Sequence, residues 1–217
     1  MAFLTKLDQV AEKLRERIIA GEYARGQKIK QVDIAGELGV SVTPVREALK
    51  MLEMEGYIVS QPHKGLCVPE VNYKEVLEVF ELRLILEREL TIRALEQMTD
   101  EGLNSLKAIQ KEFVKYSKAG EVIEARAANV RFHFRLYEMA ARPLTLQFVR
   151  VLWAKYQFNY QKQTERLKQV ENEHDFFLKA VEGGDITKAS DAMCAHLMSG
   201  WERTNKSMQV ELEKKSA

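Results

Sequence analysis

Between Gly39 and Gly56 the chain carries a stretch whose local chemistry leaves little choice of conformation: Ser41-Val42-Thr43-Pro44-Val45-Arg46-Glu47-Ala48-Leu49, followed by Lys50 to Glu55. Thr43 is expected to cap a helix through its hydroxyl. Pro44 then falls at the first helical position, where its missing N–H costs nothing. Val45, Ala48, Leu49 and Leu52 make an inward stripe at helical spacing, and Gly56 stands where a left-handed C-terminal cap is wanted. Ser41, Thr43, Arg46 and Lys50 remain on the exposed, N-terminal side. A shorter helix over about Gln31 to Leu38 and a turn at Gly39 come before it, which is the order of a helix-turn-helix.

The neighbouring segments extend the pattern. Leu7, Val10, Ala11, Leu14 and Ile18 lie on one face of a preceding helix, and Gly21 to Gly26 ends it. After Gly56 the period changes. Tyr57 to Ser60 and Leu66 to Val68 read as two short strands joined by the hairpin loop Gln61-Pro62-His63-Lys64-Gly65. Three helices and a hairpin predict a winged helix-turn-helix over residues 1–70. From Val71 onward strand signals stop. Breaks at Met98 to Asp100, Ala119-Gly120, Ala141 to Pro143, Gln163-Thr164 and Gly183 to Asp185 predict about six helices over residues 71–217, an all-α bundle. The predicted fold class is therefore mainly α, in two domains.

Charge limits what the first domain can do alone. Residues 1–70 hold 10 Lys and Arg against 10 Asp and Glu, and the whole chain carries +1. Sequence-independent binding to phosphates is then weak and salt-sensitive. Specific binding to double-stranded DNA requires two copies at once, hence a homodimer on a palindromic operator. Cys67 and Cys194 form no CxxC pair, which fits a reduced, cytoplasmic protein. No apolar run approaches the roughly 18 residues that span a membrane, so no membrane partner is expected.

The histidines carry the chemistry of the second domain. His133 shares a stripe with Asn129, Phe132, Leu136 and Ala140; His174 lies between Val170 and Phe177-Leu178; His196 follows Ala192-Met193. One inward histidine is usually a core residue with a satisfied hydrogen bond. Three on the inward stripes of one bundle predict converging imidazoles and a divalent transition metal, zinc or nickel. Arg83 and Glu87 lie one turn apart on the stripe Val76, Phe80, Leu90, Ala94. They either pair with each other or receive a charged ligand, and Arg83 is the candidate receptor for an effector carboxylate. Trp153, Tyr156, Phe158 and Tyr160 are expected in core or dimer surface.

The segment Gly39 to Leu49, with Leu52-Glu53, Glu55-Gly56 and the wing His63-Lys64-Gly65, resembles the GntR family of bacterial transcriptional regulators. That resemblance implies a recognition helix in the major groove, with Ser41, Thr43 and Arg46 on DNA and the wing tip in the adjacent minor groove. The family usually has Arg after the Ser; Val42 stands there, and its apolar side chain suits a thymine methyl. Asn129 to His133, Glu173-His174 through Gly184-Asp185, and Ala195-His196-Leu197 are similar to the FCD type of effector domain, which implies an Asp and three His around a divalent metal, with Arg83 near the pocket. Asn129 replaces the Asp. Its amide oxygen can ligate without bringing charge, so weaker metal binding and a stronger need for an anionic ligand are expected. The implied function is a ligand-responsive regulator, expected to be a repressor, with a small carboxylate effector shifting the placement of two DNA-binding domains. The alternative, a metal-dependent enzyme at the three-His site, needs a general base that the sequence does not mark.

Overall fold

The computed structural model describes residues 5–155 and 164–216. The chain forms two compact units: Met1–Val79 with Arg150–Gln157, and Phe80–Val149 with Phe158–Ala217.

The first unit begins with α1 (Lys6–Ile19), whose start is a capping box between Thr5 and Asp8. Val10, Ala11, Leu14 and Ile18 are buried from it. The next two helices are α2 (Gln31–Leu38) and α3 (Val42–Met54). Gly39, at φ 63°, turns the chain between them, and the Val40 N–H closes back on the Ala35 carbonyl at 3.0 Å. That closure brings the chain round earlier than the Thr43 cap requires. Ser41, with extended ψ of 161°, occupies the cap position, so Thr43 lies within the first turn and is not the cap. Pro44 becomes the third helical residue, still among the N–H groups a helix leaves unpaired at its start.

Helix α3 ends as expected. Gly56 has φ 80°, and the Tyr57 N–H bonds the Leu52 carbonyl at 2.8 Å while the Gly56 N–H bonds Glu53 at 3.1 Å. Tyr57 and Leu52 are both fully buried and pack the end of the helix into the core. A Gly56→Ala variant is expected to lose about 1 kcal/mol of stability from the left-handed backbone, read as a lower thermal midpoint of the first unit; an unchanged midpoint would count against this cap.

The wing is β1 (Val59–Gln61) paired antiparallel with β2 (Gly65–Cys67), Val59 opposite Cys67. The strands sit later than the sequence pattern places the first one, because Tyr57 and Ile58 turn into the core instead of entering the ladder. Beyond the pair, Gly26 to Ile29 runs along β2: the Ile29 N–H bonds Leu66 at 2.8 Å and the Val68 N–H bonds Gln27 at 3.0 Å. The last turns of α7 (Pro143–Lys155) also belong to this unit. The Tyr57 hydroxyl donates to the Arg150 carbonyl, Arg150 bonds Glu12, and Arg25 donates to the Pro69 and Lys155 carbonyls.

Among the described residues, six helices follow Val71: α4 (Val76–Glu96), α5 (Asp100–Ala119), α6 (Val122–Glu138), α7, α8 (Thr164–Glu182) and α9 (Ile186–Ser216). Their breaks fall where Gly, Pro and capping residues put them. The Thr99 hydroxyl accepts from the Gly102 N–H at 3.1 Å, and the Asp185 carboxylate from the Lys188 N–H at 2.9 Å. The core of the second unit is built from Leu106, Phe113, Phe132, Leu136, Tyr137 and Phe177, all buried. Trp153 is buried as expected of that aromatic group; Tyr156, Phe158 and Tyr160 lie outside the described residues. No helix is long and apolar enough to cross a membrane among the described residues.

Candidate metal centre and nucleic-acid interface

Three helices of the second unit each deliver one imidazole to the same point. His133 comes from α6, His174 from α8 and His196 from α9, and each is at least 95% buried. Each brings a ring nitrogen within 4.8 Å of the others. Phe132 stacks on His174 at 4.1 Å between ring centroids and fixes its plane.

The hydrogen bonds decide which nitrogen faces inward. Tyr137, one turn after His133, donates its hydroxyl proton to Glu87 Oε2 at 2.6 Å. Its oxygen is therefore an acceptor for His133 Nδ1, 3.0 Å away. Gln110 on α5 donates through Nε2 to Asp175 at 2.9 Å and to the Glu171 carbonyl at 3.2 Å, so its Oε1 accepts from His174 Nδ1 at 2.9 Å. Glu173 Oε2 accepts from His196 Nδ1 at 2.7 Å. Every Nδ1 thus holds its proton against an outer partner, and every Nε2 presents a lone pair. His133 Nε2 and His196 Nε2 face each other at 3.0 Å. Two acceptors at that distance share no proton, and a cation is the group that satisfies both.

Two further atoms fit the same conclusion. His174 Nε2 and Asn129 Oδ1 are buried without a hydrogen-bond partner. Asn129 stands one helical turn before His133 on α6. The surroundings favour neutral imidazoles: burial, then the neighbouring imidazoles and the Arg83 and Arg166 charges, hold His133 well below its ordinary pKa, and burial acts first in lowering His174 and His196, against the Glu173 hydrogen bond in the case of His196. Neutral imidazole is the form that ligates. The residues present therefore fit a divalent metal held by His133, His174 and His196, with Asn129 in reach of the same helix face.

Arg83 and Glu87 do pair with each other. Arg83 Nε bonds Glu87 Oε1 at 2.5 Å, and both side chains are at most 4% exposed. The pair leads into the site through Tyr137 and His133. A second chain of the same kind, not expected from the sequence, runs from Arg166 through Glu173 to His196: Arg166 Nη1 bonds both Glu173 oxygens at 3.1 Å. Burial works to raise the Glu173 carboxyl, but the His196 hydrogen bond and the Arg166 charge outweigh it and hold it down at about 2. Tyr137 lies one turn after the histidine it bonds and has a local signal in that spacing, whereas Glu173 adjoins His174 in sequence but bonds His196 on α9. Gln110 and Arg166 have no such signal, being brought in from another helix and from two turns away.

In the first unit Ser41, Thr43, Arg46 and Lys50 are all exposed along the start and outer side of α3, as are His63, Lys64 and Gly65 at the wing tip. Arg46 and Lys50 share Glu47 at 3.4 and 3.2 Å, and these contacts lower the Glu47 carboxyl, the Lys50 hydrogen bond most. Such solvent-exposed pairs are worth little and yield readily to a phosphate or a base edge. His63 has φ 64°, a left-handed backbone uncommon outside glycine, next to Gly65 at φ 81°.

A model of the FCD domain matches residues 78–199, and the model of bacterial regulatory proteins of the gntR family matches residues 6–68. The chain belongs to the GntR family of transcriptional regulators, in the branch that carries an FCD domain. It is similar to the HTH-type transcriptional regulator McbR of Escherichia coli strain K12, 26% identical over 147 residues, 68% of this chain and 66% of that protein. It is also 27% identical over 204 residues to the gluconate operon transcriptional repressor of Bacillus licheniformis, covering 87% of this chain and 79% of that protein. The match to McbR thus spans just under two thirds of that relative's length. A solved structure of E. coli McbR/YncC has the same fold, with a TM-score of 0.81 at 20% identity over 95% of this chain and all of that one. The matched families are regulators and not enzymes.

Proposed function

We propose that this regulator binds a palindromic operator as a homodimer and that a small carboxylate effector, held at a divalent metal in the second domain, changes its affinity for that operator. The observation that carries the effector half is the convergence of three Nε2 lone pairs, each set by an Nδ1 hydrogen bond to an outer partner. When bound, zinc or nickel there supplies a Lewis-acidic anchor for a carboxylate. The chain's own residues hold the imidazoles neutral and oriented, and Arg83 offers its charge from α4. Glu87 and Glu173 are committed to Arg83, Tyr137, Arg166 and His196, which supports binding over hydrolysis. By linkage, effector and operator alter each other's affinity to the same degree.

The DNA half rests on α3 and the wing, in a domain taken as residues 1–70, with 71–217 as the metal, effector and dimer domain. Ser41, Thr43, Arg46 and Lys50 are placed on the major groove, and His63, Lys64 and Gly65 on the minor groove. An Arg46→Ala variant is expected to lose about 1–3 kcal/mol of operator affinity and to relax sequence preference, while Lys64→Ala weakens all sequences alike and reduces the salt slope by about 1. Mobility shifts on the DNA upstream of the chain's own gene, across a salt series, check both. Equal loss on operator and random DNA for Arg46→Ala would contradict its placement on a base.

The dimer is supported by apolar side chains left in solvent within the second unit. Ile85 on α4 is 65% exposed, with Leu82 near it, and Leu144 and Phe148 stand one turn apart on α7 at 66% and 56%. Ile85→Glu and Phe148→Glu are expected to give monomers by light scattering and to abolish operator binding with them. Dimers that persist in both variants would place the interface elsewhere.

A further inference from the structure

One cation stands beside the wing from a segment outside it. Gly26 to Ile29 runs along the edge of β2 that faces away from β1, and Lys28 is paired there opposite Cys67. Gly65 is two residues before Cys67 on the same strand, so it shares the face on which Lys28 lies. The Lys28 side chain follows that face toward the wing tip: its Cε lies 3.8 Å from the point where a Cβ on Gly65 would stand. The ammonium is one bond further on. Lys28 is exposed, as are His63, Lys64 and Gly65. The wing tip therefore carries two lysines, one from its own loop and one from the neighbouring segment.

Charge pairing singles these two out. Residues 1–70 are neutral overall, with 10 Lys and Arg against 10 Asp and Glu. Arg15, Arg17, Lys30, Arg46 and Lys50 each have a carboxylate at 3.9 Å or less, and Arg25 donates to two carbonyls. Lys28 and Lys64 pair with no carboxylate among the described residues, so a phosphate reaches them without breaking a contact. The spacing fits as well. Neighbouring strands lie about 4.8 Å apart, and the minor groove is about 6 Å wide. With Lys64 at a wing tip inside that groove, the segment beside β2 stands at the groove wall, where the phosphates are.

We infer that Lys28 is a DNA contact of this regulator, holding a backbone phosphate at the edge of the minor groove that the wing enters. This rests on the placement of the wing in that groove. Lys28 fixes the register of the wing on the duplex and adds affinity that carries no sequence information. The reading of bases stays with α3 and the wing tip.

The test measures binding of the full chain to the DNA upstream of its own gene and to a random duplex of equal length, across a salt series. Lys28→Ala is expected to weaken both duplexes alike. It is expected to reduce the slope of log affinity against log salt by about 0.9 for each chain on the DNA. For a dimer the deficit is then about twelvefold larger at about 50 mM salt than at about 200 mM. Lys28→Arg, which keeps the charge, is expected to retain both affinity and slope. A neutral methylphosphonate placed in turn at each phosphate of the protected duplex supplies a second reading. One position per half-site is expected to weaken the unaltered chain and to leave Lys28→Ala unaffected. If Lys28→Ala keeps the slope of the unaltered chain, Lys28 holds no phosphate and the inference is overturned. The same holds if affinity falls and Lys28→Arg does not restore it, which marks a structural role beside β2. If Lys64→Ala lowers the slope and Lys28→Ala does not, the wing placement stands and Lys28 alone is overturned. If the unaltered chain binds neither duplex, the DNA-binding reading itself fails and takes this inference with it.

Discussion

Replacing His174 with Gln is expected to reduce bound zinc from one ion per chain to near zero after dialysis. His174 contributes the one Nε2 of the three that is buried without any partner, so it has the least to lose by ligating. Gln keeps a similar volume against Phe132, which stacks on the ring at 4.1 Å, and so separates loss of a ligand from loss of packing. Thermal unfolding supplies a second reading. A ligand present at 100 times its dissociation constant stabilises the folded state by about 2.7 kcal/mol. The unaltered chain is expected to show such a zinc-dependent rise and His174→Gln to show none. Stoichiometric zinc in the variant, resistant to chelator, would contradict the assignment. His133→Gln and His196→Gln are expected to behave alike, since Tyr137 and Glu173 hold those rings in the same tautomer.

Asn129→Asp is expected to move two affinities in opposite directions. A carboxylate in place of the buried, unpartnered Oδ1 brings a negative charge to the ion, and zinc affinity rises by about tenfold to a hundredfold, the range that changes around a metal's ligands carry. The same charge offsets part of what the effector now neutralises, so carboxylate affinity falls. Opposed movement is the signature of direct participation at the ion. Competition with a chelator of known affinity measures the first change and calorimetry with succinate the second. No change in either would mean that Asn129 stands outside the site and that its orphaned oxygen has another cause.

The path from sequence to site was clearest where one residue type has one physical use. Gly39 and Gly56 mark left-handed turns because only a residue without Cβ adopts them at no cost, and both helix ends fall there. His133, His174 and His196 were legible as a group because each lies on an apolar stripe, and stripes in one bundle must meet. The start of α3 was less clear. Ser41 and Thr43 are both good caps, and the choice is made by the backbone turn at Gly39 and Val40, a contact with Ala35 that propensity does not contain. The pairing of Gly26 to Ile29 with the wing was not legible at all, since that segment has neither alternation nor β-branched enrichment and gains its partners from the hairpin. The outer shell divides along the same line. Tyr137 is a helical neighbour of the ligand it bonds and Arg166 lies two turns before Glu173 on α8, whereas the contacts of Gln110 with His174 and of Glu173 with His196 depend on how α5, α8 and α9 pack.

The family assignment and the site describe different levels. The GntR and FCD matches say what kind of protein this is. Asn129 and the doubled Glu–Arg support concern how this chain would read its own signal. The central claim is that the three imidazoles exist to hold a metal. A crystal structure of the zinc-loaded protein, with anomalous differences recorded across the zinc edge, tests it most directly. The account predicts one strong peak per chain, about 2.0–2.1 Å from Nε2 of His133, His174 and His196, with Asn129 Oδ1 turned toward it. A map with no peak among the three rings, or with a proton-bridged pair of imidazoles there instead, would contradict it.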